Sequence, residues 1–195
     1  MSVLTRVRWG VVALLMVMLL AAASAVAPTG STIVCKGLAL TQPAGTNGPD
    51  TISGTESADV INARDGNDLV TPGGGDDTVC GDDGDDKVVH SAGNDLINGG
   101  AGNDDLEGGS GNDTLEGNNG DDHLQGGRGD DKLTGGPGND ILKGAQGNDH
   151  LLGGAGDDRL VGGLGADILN GDDGFDECYD EDPGTVFRNC EVILP

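Results

Sequence analysis

The sequence predicts an all-β solenoid in which two nine-residue half-coils form one coil of eighteen residues. Three observations support this prediction. Counted in blocks of nine from Gly45, the register runs unbroken to Tyr179, which gives fifteen blocks. The sixth residue of every block is aspartate, and the eighth is Ile, Val or Leu in all but the last, which has Cys178. The fourth residue is glycine in every block except one, which has Ser57.

Each place in the block has a physical interpretation. Glycine at the first, second and fourth places permits positive φ and close backbone approach, which is typical of a tight turn. Asn or Asp at the fifth place, such as Asn103, also tolerates the left-handed region. The last three residues, such as Asp105, Leu106 and Glu107, are expected to alternate outward, inward and outward. This alternation predicts a short strand with one buried side chain.

Two blocks are expected to close one coil as turn, strand, turn and strand. Residues eighteen apart then stack in one sheet, so the apolar side chains form two facing rows. One row contains Leu106, Leu124, Leu142 and Leu160, and the other contains Leu115, Leu133, Leu151 and Leu169. These two rows are the predicted core.

The composition is extreme for a folded protein. The chain has 195 residues, a formal charge of -24, 38 glycines and 2% aromatic residues. High charge with few large apolar residues normally indicates disorder, so only a regular repeat allows this chain to fold. The acidity also argues against nucleic acids and anionic membranes as partners, because their phosphates would be repelled.

The N-terminus has the features of a secretory signal peptide, which we predict over residues 1–25. Arg6 and Arg8 precede an apolar stretch over 11–23, and small residues follow it. The alternative is an uncleaved anchor, because the apolar run over 9–27 is almost long enough to span a bilayer. With cleavage, the mature chain is expected to be secreted and extracellular, with no membrane insertion.

Export would place the four cysteines in an oxidising compartment, where disulfides form. Cys35, Cys80, Cys178 and Cys190 allow three pairings. Cys178 and Cys190 lie close in sequence and are expected to pair, which leaves Cys35 with Cys80. Free thiols are the alternative.

Stacked coils create an electrostatic problem at the sixth place. Strands about 4.8 Å apart would put Asp104 nearly above Asp122 and Asp113 above Asp131. Two unit charges at roughly 5 Å repel by about 3 kcal/mol at an effective dielectric near 20. The array therefore needs cations between its carboxylates. Oxygen ligands select a hard ion, and flexible glycine turns suit Ca²⁺ better than Mg²⁺.

The candidate metal ligands are the fifteen sixth-place aspartates. They are Asp50, Asp59, Asp68, Asp77, Asp86, Asp95, Asp104, Asp113, Asp122, Asp131, Asp140, Asp149, Asp158, Asp167 and Asp176. The residue type and its spacing point to binding of several calcium ions.

Blocks such as GGAGNDDLE, GGSGNDTLE and GGPGNDILK resemble the RTX, or haemolysin-type, calcium-binding nonapeptide repeat over residues 45–179. The resemblance implies a right-handed parallel β-roll with calcium held in the turns between one block and the next but one. It also implies that each sixth-place aspartate contributes a carboxylate and that turn carbonyls supply the rest. Blocks near both ends depart from the pattern, at Pro49, Ser57, Ala58, Ala166 and Phe175. The sites are therefore expected chiefly from Asp68 to Asp158.

The leader distinguishes this chain from RTX proteins that leave the cell through a dedicated type I machine. Those proteins carry a C-terminal signal, whereas the leader here indicates general secretory export. Folding coupled to calcium suits that route, because the cytosol is poor in calcium and the chain would fold only outside it.

The segments outside the repeat are expected to cap the solenoid, since stacked repeats need protected ends. They are residues 26–44 before it and residues 180–195 after it. Their apolar parts are Thr32–Leu40 and Thr185–Leu194. Frayed tails are the alternative.

Nothing in the chain indicates an enzyme. His90, His123 and His150 do not form a catalytic set, and uniform roll faces offer no cleft between paired carboxyls. The favoured function is a secreted calcium-binding protein with a structural or adhesive role toward cell-surface or matrix components. The alternative is an accessory or detached repeat module of a secreted toxin or hydrolase system.

Overall fold

Two parallel β-sheets face each other along the repeat. The computed structural model describes residues 40–42, 44–89 and 91–194. Successive blocks alternate between the two sheets, and strand partners within the repeat are eighteen residues apart. The result is a solenoid of about eight coils, which confirms the predicted parallel β-roll.

The strands alternate between the sheets in chain order, apart from one short extra strand. Sheet A has the order β1 (Thr51–Ser53), β3 (Leu69–Thr71), β5 (Lys87–Val88), β8 (Asp105–Ser110), β10 (His123–Arg128), β12 (Ile141–Gln146), β14 (Arg159–Leu164), β16 (Glu177–Tyr179) and β18 (Val192–Leu194), and β6 (Ser91–Ala92) also pairs with β8. Sheet B has the order β17 (Val186–Arg188), β15 (Ile168–Asp173), β13 (His150–Ala155), β11 (Lys132–Pro137), β9 (Thr114–Asn119), β7 (Leu96–Ala101), β4 (Thr78–Asp83) and β2 (Val60–Asp65). In the part of the chain that the structure describes, no helix is long and apolar enough to cross a membrane.

The core is a single row of eighth-place side chains from each sheet. From Ile61 to Cys178 these residues are at most 1% exposed, and Ile52 in the first block is 7% exposed. Both predicted leucine rows are confirmed, since Leu106 pairs with Leu124 in sheet A and Leu115 with Leu133 in sheet B. Full burial of each such side chain contributes about 1.5–3 kcal/mol. The total stabilisation from the core therefore grows with the number of stacked coils.

Most strands are longer than predicted. A strand such as β8 includes the last three residues of one block and the first three of the next. The expectation that the first-place and second-place glycines belong to the turn was therefore wrong. Leu106 and Gly108 lie two residues apart and are both buried, so inward and outward alternation continues across the block boundary. Between two successive six-residue strands, only the fourth to sixth places lie outside the strands.

The left-handed residues lie at the second and fourth places. Gly111 at a fourth place has a φ of 131°, and a methyl group on it would lie 1.7 Å from the carbonyl oxygen of Gly93. The second place takes positive φ even without glycine, as at Asn118 (75°) and Ala145 (90°). No fifth-place residue in the described blocks has positive φ, so residues such as Asn103 do not use the left-handed region that their type tolerates.

The C-terminal segment adds one strand to each sheet. β17 pairs with β15 and places Phe187 beside Leu169, and Phe187 packs partly buried against the core. β18 pairs with β16. The predicted disulfide between Cys178 and Cys190 is confirmed, with 5.9 Å between their Cα atoms. These contacts support a capping role for residues 180–195, which stays a prediction.

Most of the predicted N-terminal features lie outside the described residues. This applies to the signal peptide over 1–25, to Cys35 and to most of the capping segment over 26–44. Cys80 is disulfide-bonded and only 3% exposed, so its side chain is covered, and its pairing with Cys35 stays a prediction. The neighbouring ninth-place residues Asn98 and Glu116 are also buried, at 8% and 6% exposed.

Candidate metal centre

The sixth-place aspartates form two columns, each with one aspartate per coil. The backbone N–H of Asp104 donates a 2.8 Å hydrogen bond to Oδ1 of Asp122. The N–H of Asp113 donates in the same way to Oδ1 of Asp131, also at 2.8 Å. The stacking of both pairs was predicted and is confirmed. The hydrogen bond within each pair was not predicted. One carboxylate oxygen of each aspartate therefore joins two coils.

The second carboxylate oxygen, Oδ2, lacks a hydrogen-bond partner in most of both columns. Twelve aspartates share this feature, namely Asp68, Asp77, Asp86, Asp104, Asp113, Asp122, Asp131, Asp140, Asp149, Asp158, Asp167 and Asp176. Each of them is at most 3% exposed. A buried polar atom without a partner costs free energy, and a carboxylate costs more than a neutral group. Their regular recurrence indicates that these oxygens face a ligand.

Ten of the twelve free Oδ2 atoms lie against the first-place glycine of their own block. A methyl group on Gly135 would lie 2.2 Å from Oδ2 of Asp140 and 2.7 Å from the carbonyl oxygen of Gly153, one coil further on. Gly144 has the same surroundings, with Oδ2 of Asp149 at 2.2 Å. A carboxylate oxygen and a carbonyl oxygen from successive coils therefore converge in one small space. This donor set fits Ca²⁺, which binds carboxylate and carbonyl oxygens.

The columns do not form a site from side chains alone. Within the described residues, no three His, Cys, Asp or Glu side chains are grouped so that they could hold a metal ion. An ion in these columns would need backbone carbonyls to complete its six to eight oxygen ligands. The carbonyl oxygen of Gly153 beside Asp140 is of this kind.

Burial raises the pKa of most sixth-place carboxyls. Loss of hydration is the largest cause, the backbone N–H offsets part of it, and neighbouring carboxylates add to it at most positions. The pKa is raised to about 7 at Asp104, Asp131, Asp158 and Asp167, and to about 6 at Asp77, Asp86, Asp113, Asp122, Asp140 and Asp149. Without a cation, these carboxyls would be partly protonated near neutral pH.

The first two blocks differ because their carboxylates are already satisfied. Thr46 donates to Oδ2 of Asp50 through its backbone N–H (2.6 Å) and its hydroxyl (2.9 Å). Thr55 does the same for Asp59, at 2.6 and 2.9 Å. Hydrogen bonds, the strongest from Thr41, lower the pKa of Asp59 to about 2. The surroundings of these two predicted ligands therefore differ from those of the twelve aspartates whose Oδ2 has no hydrogen-bond partner.

Fifth-place side chains form a second ladder beside the first. The backbone N–H of Asp121 donates to Oδ1 of Asn103 at 2.9 Å, and that of Asn139 donates to Oδ1 of Asp121 at 2.8 Å. Asn and Asp alternate at this place in the odd blocks from Asn67 to Asp157. Like charges are therefore separated, and this ladder is satisfied without an ion. This ladder was not predicted, although the alternation of Asn and Asp is present in the sequence.

Both columns end in the C-terminal segment. The backbone N–H of Asp167 donates to Oγ1 of Thr185 at 3.2 Å, and that of Asp176 donates to Oε2 of Glu191 at 2.7 Å. Asp180 is 7% exposed and lies beside Asp167. These residues were not predicted, because the unbroken count of nine ends at Tyr179. Continuing it would have put Thr185 at a sixth place.

The two histidines that the structure describes do not lie together. His123 in β10 and His150 in β13 are exposed and belong to opposite sheets, as predicted. Nδ1 of His123 lies 3.1 Å from Oδ1 of Asp105, which also pairs with Lys87. Exposed pairs of this kind contribute little stability. His90 lies outside the described residues.

Comparison with known proteins agrees with the geometry of the columns. The RTX calcium-binding nonapeptide repeat matches in four copies, over residues 44–79, 81–115, 116–151 and 143–178. Comparison with curated proteins found no match. The four copies cover more than half of the chain and coincide with the blocks that carry the aspartate columns. The chain therefore belongs to the RTX calcium-binding nonapeptide repeat family.

Proposed function

We propose that this protein is secreted and folds into its roll as it binds several Ca²⁺ ions along the two columns. The folded roll would then serve as an extracellular structural or adhesive module. Membership of a calcium-binding repeat family supports the choice of ion. The leader and the disulfide between Cys178 and Cys190 support export.

The observation that carries the proposal is the set of twelve buried Oδ2 atoms without hydrogen-bond partners. Each belongs to a group that would be an anion in water at neutral pH. Successive aspartates of a column are joined by one hydrogen bond, so their charges are close together. A divalent ion beside each Oδ2 would remove both the repulsion and the missing interaction. The ion is therefore part of the fold in this proposal.

The proposed ligands are the twelve sixth-place aspartates whose Oδ2 lacks a hydrogen-bond partner, with backbone carbonyls such as that of Gly153. Asp50 and Asp59 are left out because Thr46 and Thr55 already satisfy their Oδ2 atoms. This assignment excludes the first two blocks and extends past Asp158 to the end of the repeat.

Calcium supply would decide where the chain folds. Extracellular calcium modules bind with Kd values of about 10⁻⁴ to 10⁻³ M, so they stay unloaded in a calcium-poor cytosol. An acidic chain with a small core would remain unfolded there and fold after export. The outward residues of the sheets would then be available to cell-surface or matrix components.

Far-UV circular dichroism of the full chain tests the proposal. In chelator we expect a spectrum without β-structure, and added calcium should produce the β-spectrum in a steep transition that chelator reverses. Magnesium at the same concentration serves as the control and should have little effect, because it demands stricter geometry. A full β-spectrum in chelator would contradict the proposal.

A further inference from the structure

The C-terminal segment contains a sixteenth half-coil over residues 180–188. Counting by nine places Thr185 at the sixth place and Phe187 at the eighth. The structure agrees with this count, because Phe187 pairs with Leu169. In addition, the N–H of Val186 donates to the carbonyl oxygen of Asp167 at 2.8 Å. The backbone is therefore regular, while the sixth place lacks a carboxylate.

Asp180 occupies the first place of this half-coil, where most blocks have glycine. Its side chain is buried, at 7% exposed. A methyl group on Gly162, one coil before, would lie 2.1 Å from Oδ2 of Asp180 and 2.4 Å from Oδ2 of Asp167. At Gly135, Gly144 and Gly153 this space receives one carboxylate oxygen and one carbonyl oxygen. Here two carboxylates point into it.

Hydrogen bonds fix Asp180 in this orientation. Its Oδ1 accepts from the N–H of Asp182 at 2.7 Å, and its Oδ2 accepts from the hydroxyl of Thr185 at 2.8 Å. Thr185 Oγ1 in turn accepts from the N–H of Asp167 at 3.2 Å. Oδ2 of Asp167 has no hydrogen-bond partner, and the residue is 1% exposed. Two buried carboxylates that face each other repel when both are ionised, and a cation between them would remove this repulsion.

We propose that Asp167 and Asp180 hold a further calcium ion at the C-terminal end of their column. Asp180 supplies from the first place the carboxylate that Thr185 lacks at the sixth. The ligand class is a hard divalent cation, because both donors are carboxylate oxygens. This site rests on the proposed function of the columns, but it adds a ligand from outside the fifteen blocks. It would close the column where the stack ends.

Terbium luminescence can report on this site selectively. Tyr179 is the only tyrosine of the chain, and the single tryptophan is Trp9. In the full chain with Trp9→Phe, excitation of tyrosine should sensitise Tb³⁺ bound beside Tyr179, since Tb³⁺ takes calcium-like oxygen sites. Asp180→Gly should remove most of this emission or raise the Tb³⁺ concentration it needs by roughly tenfold. Glu177→Gln is the control, because it removes one exposed charge in the same coil and should leave the emission unchanged.

A second variant separates loss of a ligand from loss of structure. Asp180→Gly with Thr185→Asp restores the regular first and sixth places, so sensitised emission should return. A cap that is only structural would not recover in this way. Equal emission from Asp180→Gly and Glu177→Gln would overturn the proposal, as would failure of the double variant to restore it.

The same experiment distinguishes this inference from the proposed function. If every variant gains β-structure with calcium and Asp180→Gly leaves the emission unchanged, only the terminal site is contradicted. If the unsubstituted chain does not fold on addition of calcium, the proposed function is contradicted, and so is the terminal site that rests on it.

Discussion

At the scale of single residues, the two oxygens of each sixth-place carboxylate have separate roles. Oδ1 accepts the backbone N–H of the previous coil, so it holds the stack together even without an ion. Oδ2 is buried and lacks a hydrogen bond at twelve of the positions. An asparagine at the same place keeps an oxygen for the first role but puts an uncharged amide in the second. Substitution by asparagine therefore tests metal binding separately from stacking.

Asp131→Asn and Asp130→Asn form a matched pair, since the two residues are neighbours and each substitution removes one negative charge. Asp131 is 2% exposed with a free Oδ2, whereas Asp130 is exposed and accepts the N–H of Asn148. We expect Asp131→Asn to raise the calcium concentration at the folding midpoint by roughly tenfold, or about 1.4 kcal/mol. Asp130→Asn should change it little. Circular dichroism during calcium titration measures both midpoints.

Without calcium, Asp131→Asn should have the opposite effect on stability. Asp131→Asn removes a carboxylate whose burial costs free energy without an ion, so it should not weaken the metal-free chain and should make any residual structure there more stable. Equal calcium midpoints for the two variants would show that the buried Oδ2 of Asp131 is not a ligand.

At the scale of elements, the unit is a six-residue strand followed by a three-residue turn. The turn begins at a fourth-place glycine that lies over the equivalent glycine of the previous coil, as Gly111 lies over Gly93. Gly111 has positive φ, and a side chain there would also meet a carbonyl oxygen. This place therefore has two independent reasons to lack a Cβ.

Gly111→Ala should destabilise the calcium-loaded roll by about 2–4 kcal/mol, because strain and overpacking add at one position. Gly48→Ala is the control. Gly48 occupies the fourth place of the first block, and a Cβ there would meet no atom within 4 Å. Denaturant unfolding in saturating calcium measures the difference. Similar midpoints for both variants would contradict the close packing of turns.

The coil length and the core could be predicted because the eighth place is the one place in the block that is regularly apolar. Leu106 and Leu115 can both be buried only if successive blocks face each other. The strand length could not be predicted, because Gly108 is compatible with either a turn or a strand. Its burial follows from the carboxylate beside it, whose Oδ2 would lie 2.4 Å from a Cβ. Sequence alone does not reveal that contact.

The columns of aspartates could be predicted from spacing, but their ends could not. The departures at Pro49 and Ala58 indicated that the first blocks are unusual. The actual reason, that Thr46 and Thr55 donate to the carboxylates, depends on local backbone geometry. At the other end, Asp180 takes over a ligand position from a different place in the block, so the repeat pattern hides it.

At the scale of the whole molecule, stability is distributed along the stack. Each coil contacts mainly its neighbours, so the roll behaves as a one-dimensional array in which folding spreads from coil to coil. The chain has 34 acidic residues against 10 basic ones, and most of the columns' carboxylates are buried. If the columns bind calcium as proposed, ions and protons compete for the same carboxylate oxygens. The balance between them is set by pH.

The pH dependence should have opposite signs with and without calcium. In the folded chain, burial raises the pKa of Asp104 and Asp131 to about 7, well above that of an aspartate in water. Without metal, the folded state therefore holds more protons than the unfolded one. Its stability is greatest below about pH 4 and is lost as pH rises to about 7. Calcium must displace these protons, so calcium affinity should increase over the same interval. Circular dichroism in chelator and in calcium across this range measures both trends. A chelated chain that gains β-structure as pH rises would show that these carboxyls do not govern folding.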